Sequence, residues 1–487
     1  LKSGQFAGTS PSDLAQLFQT LSADPDRQRL VVHFHGGLVS QASAAQSIEA
    51  RLLPAYRQAG AYPVFFVWHS DPLSVIKGNL ARIYSETIYR RLLARLLQFV
   101  EAKQRQQPGE RGGTLELEDE RDFFERLDRA GPAETPFAEL DPVSLPPEAD
   151  LSEVEAEQFR QTLEFDPVVP AEAEAIAGSL RTEAEIEQER ASRGATVQGS
   201  RQTLMSPEVL EQIRREAPDP AERGLVSTTT IITGAVWTLA RVIKRLAQGR
   251  DHGVYCTCVE ELLRQFYLAN AGKLVWDWMK QDTAAAFGPD PTRHGGTAFV
   301  QQLAATWQPG QRVILVGHST GAIAICHLLA AAQALPPGLK FEVVFLAPAV
   351  TCRLLADTLA LHGERIARFR LFGLHDDWEV QDSLLGQAPV YPRSLLYLVS
   401  GLLEDEPDAP LAGMQRYFNP APPFSDPTAF PAIEQVRRFL TAAPGRAIWS
   451  IAYDGPGLNS GARSHGAFDD EDGPTLASLQ HIIQEGF

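Results

Sequence analysis

Cysteine is scarce in this chain. There are four in 487 residues, Cys256, Cys258, Cys326 and Cys352, too few for a disulfide-built scaffold. Only Thr257 separates the first two, which is not the two-residue spacer of a redox or zinc pair, so all four are expected to be structural thiols. Long apolar runs are missing too: none reaches the roughly 18 residues of a membrane-spanning helix. The first residues show no positive run followed by an apolar stretch. The scarcity of cysteine leans toward the cytoplasm without fixing a location. Basic residues are in deficit, 44 against 61 acidic. That argues against a nucleic-acid surface spread over the molecule.

The deficit is local. Residues 111–190 hold 23 Asp or Glu against seven Arg and no Lys, a net of −16, and the remainder of the chain is at −1. A nearly neutral body therefore carries one acidic insert, and the chain's overall acidity describes that insert alone. The body, 44% apolar and 22% charged over the whole chain, has the composition of a globular protein. The length suits about three domains, or one large domain with insertions.

Short runs rich in Val, Ile and Phe mark candidate buried strands: 30–34 (LVVHF), 63–68 (PVFFVW), 313–316 (VILV), 341–346 (FEVVFL), 369–374 and 447–453. Helical patterns separate them at 44–58, 321–334 and 352–366. Alternation of this kind predicts an α/β fold, a mostly parallel central sheet with helices on both faces. The rhythm breaks between the second and third of these runs, which divides the chain into 1–79, an insertion at 80–300, and 301–487. Within the insertion 80–103 has a helical apolar face. The acidic stretch 111–190, rich in Pro and Glu, is expected to be loosely packed and dispensable. Two apolar helices follow. They either pack onto the sheet as core or form a lid over a substrate pocket. Peripheral membrane contact through 237–250 is the weaker reading, because its basic charges are few.

One motif carries chemistry. Gly317-His318-Ser319-Thr320-Gly321 fits G-x-S-x-G, directly after VILV and directly before AIAICHLL. Small residues on both sides of a serine suit a tight strand-to-helix turn that lifts the hydroxyl above the sheet. A serine hydroxyl needs a base, and the base needs a partner to fix its tautomer. His465 stands in a Gly/Ser-rich loop after the last strand and is the candidate base. The acid should follow the preceding strand, where Asp376 is preferred and Asp377 is second; Glu379 and Asp382 read as solvated helix charges. The backbone amides of Thr320 and Gly37 are the candidate oxyanion donors. Gly36, Leu38 and His318 would line the substrate site. His33 and His35 share a strand face but lack a third metal ligand, so no metal is expected.

The order Ser319, Asp376, His465, with the HGG loop at 35–37 and the GHSTG turn, resembles the α/β-hydrolase family over 30–68 and 313–487. The departure is the long insertion before the nucleophile strand. The resemblance implies hydrolysis of a carboxylic ester through an acyl-enzyme with no cofactor, acting on a small-molecule or lipid-like ester. The alternatives are an amidase, peptidase or thioesterase using the same triad, or a non-catalytic binding protein with the acidic insert as its partner surface.

Overall fold

Successive residues of the short apolar runs divide between two cores. Leu30, Val32 and Phe34 face one, Val31 the other; Val313 and Leu315 face the first, Ile314 and Val316 the second. Period-two alternation with both faces apolar requires a sheet covered on both sides. The computed structural model, which describes residues 1–36, 41–68, 72–106, 114–129, 135–180, 203–216, 223–383 and 390–487, has that sheet. Its strands are β1 (Arg29–Phe34), β2 (Tyr62–Phe66), β3 (Arg312–His318), β4 (Phe341–Leu346), β5 (Ile366–Leu374) and β6 (Ala447–Ser450). All neighbouring pairs are parallel, in the order β2-β1-β3-β4-β5-β6. From β1 the chain moves outward one way to β2, then returns to the other side of β1 to place β3. The carboxyl ends of β1 and β3 therefore flank a topological switch point, where loops diverge and leave a crevice.

The run expected as one strand over 447–453 ends at Ser450, and the chain then turns into a small antiparallel hairpin, β7 (Ala452–Tyr453) with β8 (Asn459–Ser460). The helix expected over 80–103 is two, Pro72–Tyr84 and Thr87–Arg105, parted at Ser85 and Glu86. The second is buried on nearly every side.

The acidic stretch is not loose over its described part. Phe123, Phe159 and Leu163 are fully or almost fully buried in the larger core. Asp166 Oδ2 accepts from Arg91 Nε at 2.6 Å and from Arg95 Nη2 at 2.7 Å. Burial alone would raise the Asp166 pKa, but Arg95, the Val168 amide and Arg91 outweigh it and hold it below the usual range. The stretch is acidic in composition, yet arginines of the Thr87–Arg105 helix neutralise its buried carboxylate. That corrects the expectation of loose packing for residues 114–129 and 135–180. Residues 181–190 lie outside the described set.

The Arg223–Ala247 helix is long and apolar enough, by length and composition, to cross a membrane, which the run of threonines at 228–230 obscures in the sequence. More than half of its most apolar window is buried. It packs on the Val169–Ser179 and Val254–Phe266 helices, as a core helix does. A buried ionic cluster ties this region to the later chain: His252 contacts Glu260 Oε1 at 2.8 Å and Asp408 Oδ1 at 3.0 Å, and Arg245 pairs with Glu260 at 2.9 Å. All four cysteines are buried and unoxidised.

Candidate functional site

β3 ends at His318, and the Gly321–Ala331 helix begins three residues later. Between them Ser319 has φ +53°, the left-handed region that a side chain with a Cβ enters only when its surroundings over-determine it. The surroundings do so here. The Ser319 amide donates to Leu346 O at 2.9 Å at the end of β4, and its carbonyl accepts from Ala322 N at 3.2 Å and Ala349 N at 3.1 Å. The flanking glycines are required by space. A Cβ on Gly317 would lie 2.8 Å from the Gly321 backbone, and one on Gly321 would overlap the Phe34 carbonyl of β1. The motif is thus a close three-way approach of β3, its helix and β1. Ser319 is 2% exposed, and its Oγ has no hydrogen-bond partner among the described residues.

A cavity of about 300 Å³ opens at the switch point, and Gly36, His318, Ser319, Asp382, His465 and Asp469 all line it. His465 lies in the turn before the Ala467–Asp470 helix. It is buried, and neither ring nitrogen has a hydrogen-bond partner among the described residues. Burial, with the charge of His318 beside it and against the opposing pull of Asp469, lowers its pKa from the ordinary histidine value to about 3. A neutral imidazole at pH 7 is the form a general base requires.

The two aspartates expected to supply the acid, Asp376 and Asp377, are not brought to His465. Asp376 Oδ1 accepts from Tyr397 Oη at 2.8 Å, and its amide donates to Gln415. Asp377 is 80% exposed beside His375. Neither lines the cavity nor bonds the His465 ring. Asp382 does line it, and its Oδ2 accepts the His465 backbone N–H at 2.8 Å. Burial raises the Asp382 pKa, while the His465 amide and Lys77 favour its ionised form. Glu379, also expected to be solvated, is fully buried against Ser394 Oγ, and burial pushes its pKa well up.

A second carboxylate was invisible in the sequence reading. Asp469 Oδ2 lies 3.2 Å from His318 Nδ1 and 3.7 Å from His33 Nε2. His33 Nδ1 in turn meets Tyr56 Oη at 2.8 Å, and His318 Nε2 meets the His465 carbonyl at 3.0 Å. Burial would raise the Asp469 pKa, but His318 and His33 hold it far below the usual carboxylate range. Both nitrogens of His318 therefore face acceptors, Asp469 Oδ2 on one side and the His465 carbonyl on the other. The one available signal was spacing, since Asp469 follows His465 by four residues.

Thr320 is buried at the helix start, directly after the serine. Gly36 sits so close that a Cβ there would be 3.1 Å from His318 Nδ1. Gly37 and Leu38 lie outside the described residues. His33 and His35 do not form a ligand pair: His35 Nδ1 meets Gly36 O at 2.5 Å, and its Nε2 accepts from Trp68 N at 2.9 Å. Among the described residues no group of three or more His, Cys, Asp or Glu is arranged to hold a metal ion. No described residue of the insertion lines the cavity, the two long apolar helices included; Leu73 and Lys77, from the Pro72–Tyr84 helix that begins just before it, do.

No protein-family model matches this chain, and neither the curated proteins nor the solved structures contain a match.

Proposed function

We propose that the protein is a serine hydrolase that cleaves a carboxylic ester through an acyl-enzyme, on an α/β-hydrolase type of fold. The observation that carries this reading is the backbone of Ser319, a non-glycine residue held at φ +53° with an unpartnered hydroxyl over the switch point. An outlier so fully fixed by its neighbours is retained for what it presents. Ser319 Oγ attacks the ester carbonyl and His465 takes its proton. Asp382 accepts Nδ1–H, keeping Nε2 free for the serine. The Thr320 amide, with its partner from the 35–38 loop, holds the oxyanion. His465 then protonates the leaving alcohol, and a water deprotonated by the same ring releases the acid. The chain order supports the fold assignment: nucleophile after β3, acid after β5, base after β6.

The test is covalent labelling by a fluorophosphonate probe with identification of the modified peptide. Wild type should be labelled on Ser319. Ser319→Ala should lose labelling and on the order of 10⁴ to 10⁶ in turnover of short p-nitrophenyl esters, with unchanged circular dichroism. Wild-type-like turnover in that variant would end the proposal.

A further inference from the structure

The charges around the cavity do not all have partners. Asp382 is engaged by the His465 amide, and Asp469 by His318 and His33. His318 is held by Asp469 and the His465 carbonyl. Lys77 remains. It lines the same cavity as Ser319, half-buried on the Pro72–Tyr84 helix, and no carboxylate lies within salt-bridge distance of it among the described residues. That helix is anchored by Ile76, Leu80 and Ile83, all buried in the main core, so the ammonium is presented from a fixed element. Its charge is felt by Asp382 across the cavity, but with no carboxylate in salt-bridge contact the ammonium is open to an anionic ligand group.

Resting on the hydrolase reading above, we infer that the cavity selects esters carrying a second, negatively charged group, a carboxylate held by Lys77 while Ser319 attacks the ester carbonyl. The cavity volume of about 300 Å³ is at the small end for ligand sites. That size suits a short molecule bearing both the ester carbonyl and the carboxylate. Leu73, from the same helix, supplies apolar wall between the two ends.

The experiment compares kcat/KM for matched esters. On the acyl side the pair is mono-p-nitrophenyl glutarate and p-nitrophenyl butyrate; on the alcohol side it is 4-acetoxybenzoate and 4-acetoxybenzamide. Each ratio is taken within one enzyme. Any effect of Lys77 on Asp382 then cancels, because both substrates use the same triad. Wild type should favour the anionic member of at least one pair by about tenfold to a hundredfold, the range for a hydrogen bond to a charged group. The preferred pair tells which side of the ester carries the carboxylate. Lys77→Arg should keep the preference, Lys77→Gln should bring the ratio near one, and Lys77→Glu should invert it. Ratios near one in wild type, or a preference that survives Lys77→Gln, would overturn the inference while leaving the hydrolase standing. No turnover of any of the four esters, with no fluorophosphonate labelling, would instead remove the hydrolase reading and this inference with it.

Discussion

Replacing Asp382 with Asn separates two jobs that its carboxylate performs. Oδ2 accepts the His465 backbone N–H at 2.8 Å, and the amide oxygen of Asn can keep that bond, so the 461–466 loop should hold its place. In the proposed triad the other oxygen is the acceptor for Nδ1–H, and the amide nitrogen of Asn takes its place. A donor facing Nδ1–H drives the imidazole to its other tautomer, with the proton on Nε2 toward Ser319, where it cannot take another. Losing the orienting carboxylate in this way should cost about 10⁴ in turnover, equal to about 5 kcal/mol of transition-state stabilisation. Asp376→Asn is the contrast. Its side chain still accepts from Tyr397 Oη, the change is remote from the cavity, and the expected loss is below about tenfold. The assay is kcat/KM for a p-nitrophenyl ester, with thermal melts confirming that both variants fold. A loss of several orders of magnitude in Asp376→Asn, with Asp382→Asn near wild type, would refute the placement of the acid.

Two further outcomes follow from burial. His35 Nε2 accepts from Trp68 N, and burial lowers its pKa to about 4. Between pH 6.5 and 4 the unfolded chain thus binds more protons than the fold, so this contribution is complete above pH 6.5 and is lost as pH falls toward 4. Urea unfolding of wild type should lose about 2 kcal/mol more between pH 6.5 and 5 than that of His35→Asn; parallel pH dependences would show that His35 titrates normally. Asp166→Ala leaves Arg91 and Arg95 buried without their carboxylate and should cost about 3–5 kcal/mol. An unchanged urea midpoint would restore the view of the acidic stretch as an appendage.

The strands were legible because each is buried on both faces, which leaves continuous apolar runs such as VILV and FEVVFL. The serine turn was legible because its glycines are dictated by space, and Gly317 and Gly321 cannot change while β1 passes so close. The acid was not. Asp376, Asp377, Glu379 and Asp382 are chemically alike in sequence, and what distinguishes them is the Asp376–Gln381 helix, which carries the chain from the end of β5 to the cavity before Asp382. Net charge misled in the insertion. Phe159 and Leu163, spaced one helical turn apart, bury themselves among acids whose arginine partners come from a distant helix, and composition records only the acids. Asp469 depends on the ends of β1 and β3 meeting, which no local pattern shows.

That meeting also explains why the residue between Gly317 and Ser319 is more than a spacer. His318 meets Asp469 through Nδ1 and the His465 carbonyl through Nε2, so a buried His–Asp pair is built into the wall beside the nucleophile. Burial first, and His318 beside it second, lower the His465 pKa, which keeps that ring neutral before reaction. In the proposed mechanism, the serine proton passes to His465 and the new imidazolium gains Asp382, while the oxyanion would form at Ser319 beside the fixed His318–Asp469 pair. A pair fixed in a buried site needs no reorganisation at that moment, which is where preorganised electrostatics act most strongly. The Tyr56–His33–Asp469 chain below is then the support that holds that pair in position.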